Sequence, residues 1–268
     1  MNHSRAILTL AWREILRFLR QRNRVIGAVG QPVLFWLLFG AGLESTFRLG
    51  ESGQSFRDYY FPGSFMLILL FTAIFTSISI IEDRKEGFLQ SVLVSPVPRW
   101  GIVLGKVLGG TTLALLQGLL FLSFLFFTEM RPGLFEIGQL IFLAGIAAFG
   151  MTSLGFVLAW RLDSTQGFHA IMNLLLMPMW LLSGAFFPIP SLENGSFLLH
   201  WIMRCNPMSY AVSGVRQQMD GSFLTADLAA DYWFPSLSLC WAVTILFSLL
   251  MFSWAWKTSS RRVQGDLR

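Results

Sequence analysis

Apolar and polar positions in this chain fall in long blocks rather than in short alternation. Six apolar blocks, at 25–43, 59–81, 101–127, 137–160, 168–187 and 233–256, predict six helices. Each meets the roughly 20 residues that a helix needs to cross a bilayer. Two other stretches carry a different pattern. Within residues 1–24, Ile7, Leu8, Trp12, Ile15, Leu16 and Leu19 recur at helical period, interleaved with Arg5, Arg13, Arg17, Arg20, Arg22 and Arg24. That pattern predicts an amphipathic helix lying on an anionic membrane surface. A cleaved leader would have a shorter apolar core, so the segment is expected to be retained.

The second stretch is 82–100, EDRKEGFLQSVLVSPVPRW. Its charges are followed by Phe88, Leu89, Val92 and Leu93 at i, i+1, i+4 and i+5, one face of a short helix. Pro96 and Pro98 close that helix. A loop that only joined two spans would need neither the helix nor the charge.

Finer features mark the spans. Thr72, Thr76 and Ser79 form a weakly polar stripe on the second; it suits either packing by small residues or the lining of a transport path. Gly101, Gly105 and Gly109 make two overlapping GxxxG units, which let a neighbouring helix approach closely. His169 and Asn173 stand one turn apart on the fifth span, and the absence of a third ligand argues for packing rather than a metal. Residues 188–232 hold an apolar piece, 197–203, too short to span and expected to be re-entrant or interfacial. Asn206-Pro207 and a second helical piece follow it.

Composition sharpens the class. The chain of 268 residues is 54% hydrophobic and 13% charged, about half the charge of a soluble domain. Its 26 Phe and 10 Trp suit a lipid-facing surface with interfacial anchors. The net charge of +5 does not call for nucleic acid, because the basic residues sit at the ends of apolar blocks. The fold class is therefore an all-α membrane protein, one transmembrane domain over 1–268. Outside the spans, Lys and Arg favour the side holding both termini, 82–100 and 161–167 by 14 to 5. Both termini and 82–100 are expected in the cytoplasm of a multi-pass inner-membrane protein.

Catalytic chemistry is not legible. Cys205 and Cys240 are not a CxxC pair. No HExxH occurs, and LLSGAF around Ser183 is not a GxSxG elbow. GIVLGKV has three residues between its glycines where a phosphate loop has four, and Val107 follows its lysine. Every Asp and Glu falls in a loop or at a span end. Ion-coupled transport usually keeps ionisable groups at membrane depth. The energy source is therefore expected outside this polypeptide, with 82–100 as its handle. Glu82, Arg84 and Glu86 would orient a soluble partner. Leu89 and Leu93 would seat in its groove. Gly87 permits the change of direction, and Ser95-Pro96 fixes the exit.

With its order of an acidic–basic–Gly run, Leu-Leu, Ser-Pro and Gly-Lys, EDRKEGFLQSVLVSPVPRWGIVLGK resembles the signature of ABC-2 type transporter permeases. LLSGAFFPIPSLE followed by CNPMSYAVSGVRQ is similar to that family's pattern after span 5. The resemblance covers nearly the whole chain, and its nearest subgroup is the antibiotic-resistance and nodulation-type permeases. It implies the membrane subunit of an ABC exporter, without an ATPase site of its own, moving a drug, lipid or polysaccharide. Two copies of a cytoplasmic ABC ATPase would dock below and bind ATP and Mg. A second membrane subunit, expected to be identical, would pair within the lipid. The 82–100 helix would be the coupling helix, and the N-terminal helix would also touch the ATPase. The re-entrant motif would include Asn206, Pro207 and Arg216. Thr72, Phe75 and Thr76 of span 2 and Asn173 and Met177 of span 5 would line the path. The alternative is a motor-free scaffold or assembly factor that uses 82–100 as an adaptor site.

Overall fold

The computed structural model describes residues 3–43, 55–192, 196–220 and 232–260. Most of the polar loop 44–58, part of 188–232 and most of the basic tail lie outside them. The described residues form eleven α-helices and no strand. They are α1 (His3–Arg20), α2 (Arg22–Leu43), α3 (Phe56–Phe75), α4 (Ile78–Lys85), α5 (Phe88–Leu93) and α6 (Arg99–Leu122). A 3₁₀ turn, Ser123–Phe127, extends α6. Then come α7 (Leu134–Arg161) and α8 (Thr165–Trp180), and a wide turn Leu181–Ala185. The last are α9 (Phe197–Cys205), α10 (Pro207–Met219) and α11 (Leu237–Ser260).

Six stretches are long and apolar enough to cross a membrane: Val25–Leu43, Phe56–Lys85, Arg99–Phe127, Leu134–Arg161, Thr165–Ala185 and Leu237–Ser260. Most boundaries differ from the sequence reading by one to four residues, and two of the differences have a plain cause. Span 2 does not end at 81; after a break at Thr76 and Ser77 its helix runs on to Lys85. The reason is Asp83, which is buried and paired rather than solvated. The last span begins at Leu237, not at 233. The Trp233 N–H is already donated to the Ile189 carbonyl at 2.8 Å, and Pro235 has no N–H to give.

The α3–α4 span is the centre of the bundle. In its most apolar window 94% of the residues are buried, and α3 packs on α2, α6, α7 and α10. A helix apolar on all sides belongs inside such a bundle. By contrast, α11 lies along α7 and turns Leu246, Leu249 and Leu250 outward, toward the space that lipid fills.

The glycine row on α6 meets α1. A Cβ on Gly105 would stand 2.9 Å from the Ile7 carbonyl oxygen, and one on Gly109 would stand 2.8 Å from Glu14 Cβ. The close neighbour is therefore the amphipathic helix, not another span. The outer face of α1 is apolar: Leu8, Trp12 and Leu19 are at least half exposed. Arg13 and Arg17, read from the sequence as part of a lipid-facing basic surface, instead turn inward. Gly109→Leu should lift α1 off α6 at a cost of about 1–3 kcal/mol. Spin labels on the exposed Thr9 and Thr112 should report a longer, broader distance; an unchanged distance with an unchanged melting temperature would contradict this packing.

Candidate functional site

The ionic site forms where α1, α4, α5 and α6 meet. Asp83, on the last turn of α4, is wholly buried. Lys106 on α6 is buried beside it and donates to Asp83 Oδ2 at 2.6 Å and to Glu14 Oε1 at 2.8 Å. From α1, the Arg13 fork grips both oxygens of Asp83, at 2.7 and 3.0 Å. Arg17, one turn on, bonds Asp83 as well and pairs with Glu82 at 3.1 Å and Glu86 at 2.8 Å. Bidentate charge-assisted bonds of this kind are short and directional. Burial works against the Arg13 charge, but the hydrogen bond and field of Asp83 prevail, so its pKa lies above the ordinary arginine value. The same guanidinium lies 3.6 Å over the ring of Phe88, the first residue of α5. One buried carboxylate thus ties α1 and α6 to the end of span 2, and through Arg13 it reaches α5 as well.

The turn into α5 is made at Gly87, which has φ +77°. That left-handed conformation costs a residue with a Cβ roughly 1–2 kcal/mol. Arg84 reaches the other way, to the end of α7. It donates to the carbonyls of Trp160 at 2.6 Å and Leu162 at 3.2 Å, and pairs with Asp163 at 3.0 Å. It thereby satisfies carbonyls that the helix end leaves open.

A second junction lies at the far end of the bundle, where span 5 breaks. Gly184 also has φ +77°. Its carbonyl accepts from the Tyr59 hydroxyl and from Arg216 Nη2, both at 2.9 Å. Arg216 also bonds the Tyr59 carbonyl at 3.3 Å, with its guanidinium 4.1 Å over the Tyr59 ring. Trp180 Nε1 donates to the Gly63 carbonyl at 2.9 Å. Asn206 caps α10 through Oδ1, which accepts from the Met208 N–H at 3.0 Å, and Pro207 occupies the first turn. Its Nδ2 donates to the Met179 carbonyl. Asn206, Pro207 and Arg216 therefore gather at the broken end of span 5.

The family described as ABC-2 type transporter matches residues 5–219, from α1 through α10. The chain belongs to the ABC-2 type transporter family. It is 26% identical over 220 residues to "Putative transport permease ycf38" of Cyanophora paradoxa, covering 78% of this chain and 72% of that one. It is 22% identical over 237 residues to "Daunorubicin resistance ABC transporter permease protein DrrB1" of Streptomyces coeruleorubidus, covering 88% and 80%. It is 26% identical over 220 residues to "Inner membrane transport permease YadH" of Escherichia coli (strain K12), covering 79% and 81%. Proteins of the ABC-2 family are the membrane components of ABC transporters and work with an ABC ATPase.

In this ABC-2 chain the residues singled out by sequence are distributed differently from expectation. Glu82 and Arg84, expected to orient a partner, are engaged within the chain. Glu86 pairs with Arg17 yet stays more than half exposed. Leu89, expected to seat in a partner's groove, is 3% exposed and part of the protein's own core, with Leu93 packed beside it. The outward face of this region is Lys85, Gln90, Ser91, Val94 and Pro96. Ser95 donates to the Val92 carbonyl at 2.6 Å and closes α5.

The path candidates do not share a surface. Thr72 is fully buried and bonded to Gln117, and Thr76 is buried against Gly110. Both pack α3 onto α6. Asn173 and Met177 lie on the exposed face of α8 instead. Phe75, partly buried, meets His169 of α8 at 5.4 Å between rings. Sequence reasoning missed Asp83, Lys106 and Glu14. The available signal was Lys106, a lone cation inside an apolar run, which requires an anionic partner if it is buried.

Proposed function

We propose that this chain is the membrane subunit of an ATP-driven exporter and that α4 and α5 receive the stroke of its ATPase. The ionic knot at Asp83 carries this reading. A force on the outward face of α5 passes through Phe88, Arg13 and Asp83 to α1 and α6 together. A linker would have no use for that joint. The contact surface is Lys85, Glu86, Gln90 and Val94, the last 86% exposed, rather than Leu89 and Leu93. Two ATPase copies, binding ATP and Mg²⁺, serve two copies of this chain. The second copy meets the exposed face of α8, with Asn173 and Met177, so those residues face the path while Thr72 and Thr76 do not. The excess of Lys and Arg supports a cytoplasmic location for the knot and both termini, with the chain in the inner membrane. The cargo is an amphipathic or lipid-like molecule, a drug or a polysaccharide. The α9 and α10 helices, over the broken end of span 5, cap its exit.

The test is a reconstituted complex with its partner ATPase. Val94→Asp with Gln90→Lys should reduce cargo-stimulated ATP hydrolysis roughly five- to thirtyfold, the loss of one contact worth about 1–2 kcal/mol. The melting temperature should not move, because neither side chain is buried. Full stimulation in that variant would exclude this face as the docking surface. A complex purified without any ATPase would favour the scaffold instead.

A further inference from the structure

Two cavities adjoin at the end of the bundle opposite the ionic knot. The first, about 520 Å³, is polar. Its walls come from Asp58 at the start of α3, the turn Glu129–Gly133, Glu136 of α7, and the end of α10. The second, about 350 Å³, is an apolar groove under that turn, with Leu119, Leu122, Leu125, Phe126 and Ile137 in its lining. Met130, Arg131 and Pro132 line both, so the turn is the seam between them. A polar chamber joined to an apolar groove suits a molecule with a head and a tail, and its size is ordinary for a ligand site.

The linings define the head. Four acidic residues, Asp58, Glu129, Glu136 and Asp220, line the polar chamber, which calls for a cation. Donors are present as well. Gln218 is 3% exposed, lines the chamber, and its Nε2 has no hydrogen-bond partner. A buried amide donor left unmade costs about 1–3 kcal/mol, and an acceptor in the chamber relieves that cost. Arg131 commits only Nη1, to the carbonyls of Thr128 and Met130 at 2.6 and 2.8 Å. The residue itself lines both cavities. The order from chamber to groove is therefore carboxylates, then a guanidinium, then apolar side chains.

We propose that this is a binding site for a phospholipid whose headgroup bears a primary ammonium, as in phosphatidylethanolamine. The ammonium sits among Asp58, Glu129 and Glu136, the phosphate between Arg131 and Gln218, and an acyl chain in the groove. The site lies at the end that the charge count assigns to the outer side, away from the path residues and the coupling face. It rests on the chain spanning a membrane, not on its being an exporter.

The purified full chain, stripped of lipid in detergent, is titrated with phosphatidylethanolamine, phosphatidylglycerol and a single-chain alkylamine, and bound species are counted by native mass spectrometry. Phosphatidylethanolamine should bind about tenfold more tightly than phosphatidylglycerol, the worth of one charge-assisted contact. Glu129→Gln with Glu136→Gln, at exposed positions, should erase that preference. Arg131→Gln should weaken phosphatidylethanolamine by a similar factor and leave the alkylamine alone. Leu119→Trp should weaken both by filling the groove. Equal binding of the two phospholipids, or a preference that survives neutralisation, overturns the proposal. So does an alkylamine that binds as tightly as the phospholipid, which would make this a site for cationic amphiphiles. The assay contains no ATPase, so its failure leaves the exporter reading standing, and failure of the Val94 test leaves this one standing.

Discussion

Asp83→Leu should destabilise the protein by about 3–5 kcal/mol, the usual cost of removing one partner from a buried ion pair. The substitution leaves the buried Lys106 with Glu14 as its remaining ion-pair partner and takes the bidentate partner from Arg13. The loss is dominated by these stranded cations, not by the attraction of the pair itself, since desolvation offsets much of that attraction. The double variant Asp83→Leu with Lys106→Met should therefore recover part of the stability. A coupling of about 1–3 kcal/mol between the two positions is expected from the cycle. Intrinsic tryptophan fluorescence during thermal unfolding in detergent reads it. If the single and double variants both melt with the wild type, Asp83 does not hold the knot. In the assembled transporter the double variant separates two roles. It restores packing but not the rigid joint, so ATP hydrolysis should persist while transport falls.

Arg216→Met should loosen the opposite end. It removes the donor from the Gly184 and Tyr59 carbonyls and the charge stacked on the Tyr59 ring. A cost of about 2–4 kcal/mol follows from losing hydrogen bonds made by a charged group. Arg216→Lys should not rescue it. An ammonium lacks the flat face that stacks on the Tyr59 ring. The effect is local, because the Tyr59 hydroxyl still holds Gly184. Hydrogen exchange should rise across Leu181–Ala185 and the end of α10 and stay unchanged in α7 and α11. Unaltered exchange at Leu181–Ala185 would mean that Arg216 does not secure the break in span 5.

The six spans were legible because their signal is local. A run of about 20 apolar residues has only one stable form in lipid, a helix that satisfies its own backbone. Gly87 was legible for a similar reason, as a glycine between two helical patterns. The end of span 2 was misplaced because Glu82–Lys85 has the composition of a solvated loop. Only the partners on α1 and α6 make it a helical turn with Asp83 buried, while Lys85 stays exposed. Leu89 and Leu93 were read as a face for a partner on the same grounds. Apolar spacing at Phe88, Leu89, Val92 and Leu93 identifies a buried face but not whose core buries it.

The sequence by itself therefore determined the class of the molecule, the number and order of its spans, the amphipathic first helix, the helix after Gly87 and the family. All of these are written in local periodicity, composition and motif order. The tertiary structure alone decided that Gly105 and Gly109 pack against α1, that Asp83 and Lys106 are one site, and that Thr72 and Thr76 face inward. It also decided that Arg216 closes on Gly184. Each is a contact between residues 23 or more positions apart, as with Asp83 and Lys106. Such contacts depend on which faces of which helices meet, and in lipid that choice rests on close packing and buried polar pairs. No local pattern along the chain records it.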